Sequence, residues 1–289
     1  LPPADPLAAE EFLAVAELDG DQRNARIFLA APIARREVED LFAPHIESVD
    51  LVTWDRRQEA VLARRQRRLG ALLLADDPLP SPPKDAVRAA LLEGLGELGL
   101  DALPWTREAR ELRQRVQFLR RLEGEAGWPD FSDDWLATHL ADWLGPFLDG
   151  ISRRSQLDRV DLSAALKAML PWDRQRRLDE LAPTHIAVPS GSRIPVDYGA
   201  GEVPVLAVRL QEMFGLAETP KLGGGRTAIQ LHLLSPAGRP LQVTADLGTF
   251  WKTGYRAVRA EMRGRYPKHS WPEDPLTAPP TARAKRRGS

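Results

Sequence analysis

Apolar and polar positions alternate through the first 78 residues. Phe12 to Glu17, Arg26 to Ala31, Ser48 to Trp54 and the stretch from Glu59 to Leu74 read as strands, whose two-residue period sends successive side chains to opposite faces. Asp19-Gly20-Asp21 and Asp55-Arg56-Arg57 punctuate them as turns, and Arg35 to Ala43 interrupts them with a short helix. Asp77-Pro-Leu-Pro-Ser-Pro-Pro-Lys84 then places four prolines among eight residues, where neither a helix nor a central strand continues. The pattern predicts a linker there.

Beyond Lys84 the period lengthens to that of a helix. Leu112, Val116, Leu119 and Leu122 fall on one face of an arginine-rich segment, and Leu136, Leu140, Trp143 and Phe147 repeat the spacing behind a Ser132-Asp-Asp134 start. Asp161 opens a further run from Leu162 to Leu170, and Pro104-Trp105, Trp128-Pro129 and Pro171-Trp172 stand at helix ends, where an aromatic ring can seal the corner. From His185 the pattern becomes mixed. Ile186 to Pro189 and Arg193 to Tyr198 flank Ser190-Gly-Ser192 as a hairpin, and Val205 to Phe214 reads as a helix capped at Gly215. Ile229 to Leu234 and Pro240 to Thr244 flank Ser235-Pro-Ala-Gly238, and Leu247, Phe250, Trp251, Tyr255, Val258 and Met262 mark a helix stopping at Gly264. Two ββα units result, related either as an internal repeat or only by shared turn chemistry.

The predicted fold is α+β and multidomain. It comprises an OB-like β-barrel over residues 8–78, a helical domain over 79–184, a mixed α/β domain with the two ββα units over 185–274, and a disordered basic tail over 275–289. Five or so strands with one helix suit a small Greek-key barrel of the OB type, whose groove commonly takes single strands.

Charge changes this picture. The 289 residues carry 40 Lys plus Arg against 41 Asp plus Glu, yet residues 186–289 hold 15 basic and 8 acidic side chains, an excess of seven. A basic third on an otherwise acidic chain suits a polyanion-facing surface, because cations gain affinity by releasing counterions from phosphates; solvated surface charge is the alternative. The absence of cysteine excludes disulfides, thiol catalysis and Cys-ligated metals. No apolar run approaches the roughly 18 residues that mark a membrane span, so we expect no membrane partner and a cytoplasmic location. Leu1-Pro-Pro-Ala-Asp-Pro6 resembles neither a signal peptide nor a folded start, and the chain reads as a fragment of a longer one.

Catalytic chemistry is sought without result. Lys252-Thr253 follows a predicted strand, but Asp246 and Trp251 occupy the positions where a P-loop needs glycine to wrap phosphates. Gly223-Gly-Gly-Arg226 precedes a strand rather than a helix, which suits a flexible connection better than a phosphate grip. The five histidines, His45, His139, His185, His232 and His269, lack metal-site spacing, and the acidic pairs Asp76-Asp77, Asp133-Asp134 and Asp179-Glu180 each suit a linker, a helix start or a charged helix face. We predict no catalytic residue, no metal and no cofactor in this chain.

Two basic clusters remain. Arg64, Arg65, Arg67 and Arg68 crowd one strand, where alternation sends Arg65 and Arg67 to one face and Arg64 and Arg68 to the other. Nucleic-acid contact, salt bridges to a neighbouring domain and plain solvation are all open to them. In the second, Arg263-Gly-Arg-Tyr-Pro-Lys-His-Ser-Trp-Pro-Glu-Asp-Pro275, the cations Arg263, Arg265 and Lys268 alternate with Tyr266, His269 and Trp271. Bases stack on such rings while cations hold phosphates; the alternative is a proline-stiffened segment that wraps the domain and buries its aromatics.

That second segment resembles the C-terminal signature of the HrpB family of bacterial ATP-dependent helicases, relatives of the DEAH-box RNA helicases. Pro183 to Arg193, Arg209 to Gly215, Leu234 to Thr244 and Phe250-Trp251 resemble the same family in the same order, as do Arg64 to Gly70 and Leu103 to Thr106. The resemblance implies an accessory region whose partners are single-stranded RNA or DNA and the two RecA-like motor domains of the same polypeptide. ATP and Mg²⁺ belong to those motor domains; Asp179-Glu180-Leu-Ala182 lacks the histidine of their Asp-Glu-x-His element. The rival reading is a protein-docking module that binds no nucleic acid of its own.

Overall fold

The computed structural model describes residues 5–19, 25–124 and 127–282. Its contacts divide the chain into two compact units, one ending at Gly94 and the other beginning at Leu95.

In the first unit β1 (Leu13–Leu18) and β2 (Ile27–Pro32) pair antiparallel, α1 (Arg35–Leu41) follows, and β3 (Ile46–Asp55), β4 (Ala60–Leu69) and β5 (Leu72–Pro78) form an antiparallel meander. The Asp55 carboxylate accepts hydrogen bonds from the Arg57 and Gln58 amides, which closes the β3–β4 turn. Among the described residues the strands form two sheets, β1-β2 and β3-β4-β5, and no ladder joins one to the other.

The helix α2 (Lys84–Leu98) begins in this unit. A β-carbon built on Gly94 would run into the indole of Trp54 on β3, which explains a glycine in the middle of a helix. Gly94→Ala gains about 1 kcal/mol of helix propensity but overpacks the indole at a cost of about 2 kcal/mol. We therefore expect a net loss of about 1 kcal/mol in urea denaturation followed by tryptophan fluorescence; a gain would show that the indole has room to shift.

The second unit is built on α3 (Arg107–Glu123). The Thr106 hydroxyl caps it by accepting from the Ala109 amide at 3.1 Å, and Ala109, Leu112, Val116 and Leu119 form its buried face. That face packs on α6 (Leu162–Ala168) and α7 (Trp172–Leu181). The run from Leu136 to Phe147, expected as one helix, is three pieces: α4 (Asp133–Thr138), α5 (Leu140–Trp143) and a 3-10 turn at Gly145–Phe147. The Thr138 hydroxyl bonds back to the Asp134 and Trp135 carbonyls, the His139 ring stacks on Trp135 at 4.2 Å, and Pro146 has no amide proton to continue the ladder.

A five-stranded sheet follows. Its strands are β6 (His185–Ala187), β7 (Arg193–Asp197), β8 (Val205–Arg209), β11 (Gln230–Leu234) and β12 (Pro240–Thr244), in the order β12-β11-β8-β7-β6, and β9 (Lys221–Leu222) pairs with β10 (Thr227–Ala228) in a small hairpin beside it. The helix expected over Val205 to Phe214 is therefore a strand and a 3-10 turn at Leu210–Met213. Strand β8 lies between β7 and its parallel neighbour β11, where Val205, Leu206 and Val208 are buried, so the run is apolar without alternating strictly. The first predicted ββα unit is thus three strands, and the proposed repeat is absent.

Only the second ββα unit forms, and its helix breaks into α8 (Leu247–Thr253) and α9 (Tyr255–Arg265) at Gly254, where a β-carbon would meet the Phe250 ring. Gly264 lies inside α9 rather than ending it. The tail expected to be disordered from residue 275 is fastened as far as residue 282: the Gly215 amide donates to the Pro275 carbonyl and the Thr281 amide to the Gln211 carbonyl, both at 2.9 Å. The rest of that predicted tail, residues 283–289, lies outside the described residues. Among the described residues no helix is long and apolar enough to cross a membrane.

Candidate nucleic-acid interface

The first basic cluster is neutralised within its own unit. Arg64 on β4 donates from Nε to Asp76 at 3.0 Å, and Arg65 holds both oxygens of Asp50 at 2.6 and 2.8 Å. Arg67 pairs with Glu39 of α1 at 3.1 Å, and Arg68 donates to the Gln66 side chain. The Arg65 hydrogen bonds and charge hold the Asp50 carboxyl below its ordinary range, and Arg64 does the same for Asp76. These pairs are solvent-exposed and screened by water, but of the four arginines they leave only Arg68 without a carboxylate partner among the described residues.

The second cluster divides by burial. The Trp271 side chain is 7% exposed and its indole donates to the Tyr266 carbonyl at 2.9 Å, while Arg259 donates to the Trp271 carbonyl and the Tyr255 hydroxyl to the Pro272 carbonyl. Burial pushes the Tyr255 phenol up to about 12, with the Arg259 charge opposing it. Burial and then the nearby charge of Arg209 lower the His269 imidazole from its ordinary value, so the ring is neutral at pH 7 and meets Tyr266 edge-on at 6.2 Å. Trp271 therefore anchors the segment as core, and Tyr266 and His269 remain half-buried. Arg265 forms an exposed pair with Glu261 at 3.4 Å, whereas Arg263 and Lys268 are exposed and make no hydrogen bond or ion pair among the described residues. Four further cations of this basic third, Arg283, Lys285, Arg286 and Arg287, lie outside the described residues.

Inside the same unit the glycine run is structural. Gly223, Gly224 and Gly225 all have φ between +61° and +87°, and the Gly223 amide donates to the Leu181 carbonyl at 2.8 Å at the end of α7. Arg226 then reaches Glu123 at the end of α3. The loop thus joins the hairpin to two helices, and its first amide is already engaged rather than open to a phosphate. Among the described residues no group of His, Asp and Glu could hold a metal.

Two features escaped the sequence reading. Arg107, Arg110, Gln114, Gln117 and Arg121 recur at intervals of three and four along α3, a polar stripe that the apolar periodicity drew attention away from. Trp172, expected to seal a corner, is 72% exposed at the start of α7 with the Arg176 guanidinium 5.3 Å above its ring.

The comparisons with known proteins agree on one family. Residues 143–275 match the model HrpB_C, described as "ATP-dependent helicase C-terminal", and residues 45–79 match the "ATP-dependent RNA helicase HrpB, connector region". The chain is 42% identical over 263 residues to the ATP-dependent RNA helicase HrpB of Escherichia coli strain K12, covering 91% of this chain and 32% of that protein. The chain belongs to the HrpB helicase family. It corresponds to a C-terminal region, and it spans about a third of the length of the HrpB proteins it matches. The crystal structure of the Escherichia coli DExH-box NTPase HrpB superposes with a TM-score of 0.69 at 40% identity, over 98% of this chain and 35% of that one. A second, of the Escherichia coli DEAH/RHA helicase HrpB, gives 0.60 at 38% identity, over 92% and 34%. Arg64, Arg65, Arg67 and Arg68 fall in the HrpB connector, and Arg263 to Trp271 fall in the HrpB C-terminal region.

Proposed function

We propose that this chain is the accessory region with which an HrpB-type ATP-dependent helicase holds single-stranded RNA or DNA, in the cytoplasm, while RecA-like motor domains of the same polypeptide use ATP and Mg²⁺ to move it. The observation that carries the reading is the contrast between the two basic clusters. Three of the four arginines of one are paired with carboxylates, and the other pairs Arg265 with Glu261 but keeps Arg263 and Lys268 exposed and unmatched. Unpaired cations on a fixed surface release the counterions condensed on nucleic-acid phosphates when they contact them. The experiment is a fluorescence anisotropy titration of labelled single-stranded RNA and DNA with this chain and with Arg263→Ala/Arg265→Ala/Lys268→Ala. We expect the triple variant to weaken binding to both strands by about tenfold at low salt; binding equal to the parent would remove this cluster from the interface.

A specific observation also favours docking by the first unit. Val15, Leu18, Phe28 and Leu29 are exposed on the two-stranded sheet β1-β2, and Leu41 and Phe42 are exposed at the end of α1. A two-stranded sheet is marginal alone, and contiguous exposed apolar side chains mark interaction sites. We read this unit as the part that packs on the motor domains.

A further inference from the structure

Opposite the buried face of α3 lies its polar stripe. Arg107, Arg110, Gln114, Gln117 and Arg121 sit two positions from Ala109, Leu112, Val116 and Leu119, a rotation of about 200° on a helix of 3.6 residues per turn. Two adjoining cavities of 380 and 590 Å³ run along this stripe and share Arg110 and Gln114. Each falls within the range of roughly 300–1,000 Å³ usual for ligand sites. Their far wall is the connection from β7 to β8, including Tyr198, Gly199 and Gly201, with His232 of β11 beyond it. Gly199 allows the close approach, since a β-carbon there would collide with the Gln114 side chain.

The charges in this groove are not all matched. Arg107 pairs with Glu111 at 2.6 Å, and Arg113 pairs with Asp133 at 2.7 Å and donates to the Phe131 carbonyl. The lining holds four carboxylates beside its four arginines: Glu111 and Asp133 are paired, Asp197 accepts the Gly199 amide, and Asp101 is exposed at the end nearest Trp105. The Arg110 and Arg121 side chains are exposed and make no hydrogen bond or ion pair among the described residues, and the two residues stand about 16 Å apart along the helix axis. That separation suits two phosphates of one chain rather than a single anion. At one end Trp105 lines the groove, its indole fixed by a 2.8 Å hydrogen bond to the Leu100 carbonyl and by the Arg113 guanidinium 5.5 Å from the ring centre. A fixed aromatic beside spaced cations is the composition of a single-strand platform.

We infer that the polar face of α3 and the β7–β8 connection form a groove that holds the sugar–phosphate backbone of single-stranded nucleic acid, with Arg110 and Arg121 each on a phosphate. The inference rests on the reading that this chain binds such a strand, and it gives the strand a path separate from the C-terminal cluster.

The test compares the parent chain, Arg110→Ala/Arg121→Ala, Arg110→Lys/Arg121→Lys and the C-terminal triple variant in anisotropy titrations with labelled single-stranded RNA at several salt concentrations. Losing two phosphate contacts should make the slope of log affinity against log salt shallower by about 1.4, and the lysine pair should restore most of it. Both arginines are exposed, so the melting temperatures should coincide. A parental slope in the alanine pair, beside weakened binding in the C-terminal variant, overturns the groove and leaves the proposed function standing. No binding by the parent chain at low salt overturns both.

Discussion

Arg115→Met is expected to lower the stability of the second unit by about 3 kcal/mol, the lower end of what breaking a buried charged network costs. Arg115 lies on the packed side of α3, where its Nε donates to the Ala182 carbonyl at 2.6 Å and its Nη2 reaches the Leu178 carbonyl at 3.3 Å. The Leu178 carbonyl also accepts the Ala182 amide at 2.9 Å, whereas the Ala182 carbonyl lies past the end of α7 and has no helical amide to satisfy it. The Asp179 carboxylate also accepts from Arg115 at 2.5 Å, but it is 79% exposed and can return to water, so its share is small. Methionine keeps much of the side-chain volume and removes every donor. The cost is then the burial of the Ala182 carbonyl without a partner rather than a cavity. Thermal denaturation should show a fall of about 6–12 °C. A fall below about 2 °C would mean that water reaches the end of α7.

Glu123→Gln should cost about 2 kcal/mol at pH 7, and the cost should shrink as the pH falls below 4.5. The Glu123 side chain is 10% exposed, accepts from the Trp128 indole at 2.8 Å, and lies within ion-pair reach of Arg174, Arg177 and Arg226. Burial alone would raise its pKa from the ordinary 4.5; the hydrogen bonds from Arg226 and Trp128 and the charges of Arg177 and Arg226 outweigh burial, so the net shift is downward. A carboxyl with a lowered folded pKa favours folding when ionised. Its contribution is fully present above 4.5 and is lost as the pH falls through the lowered folded value. The difference in melting temperature between parent and variant should therefore be constant from pH 7 to 5 and close below 4.5. A difference that does not shrink at all as the pH is lowered below 4.5 would show that shape rather than charge holds Arg226 and α7 to the end of α3.

These two residues also show where sequence reading stops. The apolar spacing of Leu112, Val116 and Leu119 marked the buried face of α3, because a helical period is local and survives any tertiary arrangement. The period did not reveal that Arg115 turns into the core, since the carbonyls it satisfies are over 60 residues away. The same limit explains Arg64, Arg65 and Arg67, whose carboxylate partners come from α1 and from neighbouring strands and depend on a register that no local pattern encodes. Val205 to Phe214 failed for another reason. Burial alternates from Leu206 to Arg209, but the exposed position between Leu206 and Val208 is the apolar Ala207, and an apolar run of that length suits a helix equally well. For the tryptophans, composition marks an aromatic but not its exposure. Trp271 is held in the core by hydrogen bonds to its own segment, while Trp172 is exposed at the first position of α7. The family resemblance was legible because it rests on long ordered segments rather than on any one residue.

The most direct measurement is the affinity of the unmodified 289-residue chain for labelled single-stranded RNA across a range of salt concentrations. If the cations placed here on a strand hold it, log affinity falls linearly with log salt, by about 0.7 for each phosphate contacted, so that contacts by Arg110, Arg121, Arg263 and Lys268 give a slope of about −2.8. A flat salt dependence, or no binding at low salt, would contradict the account and leave docking on the motor domains as the role of this region.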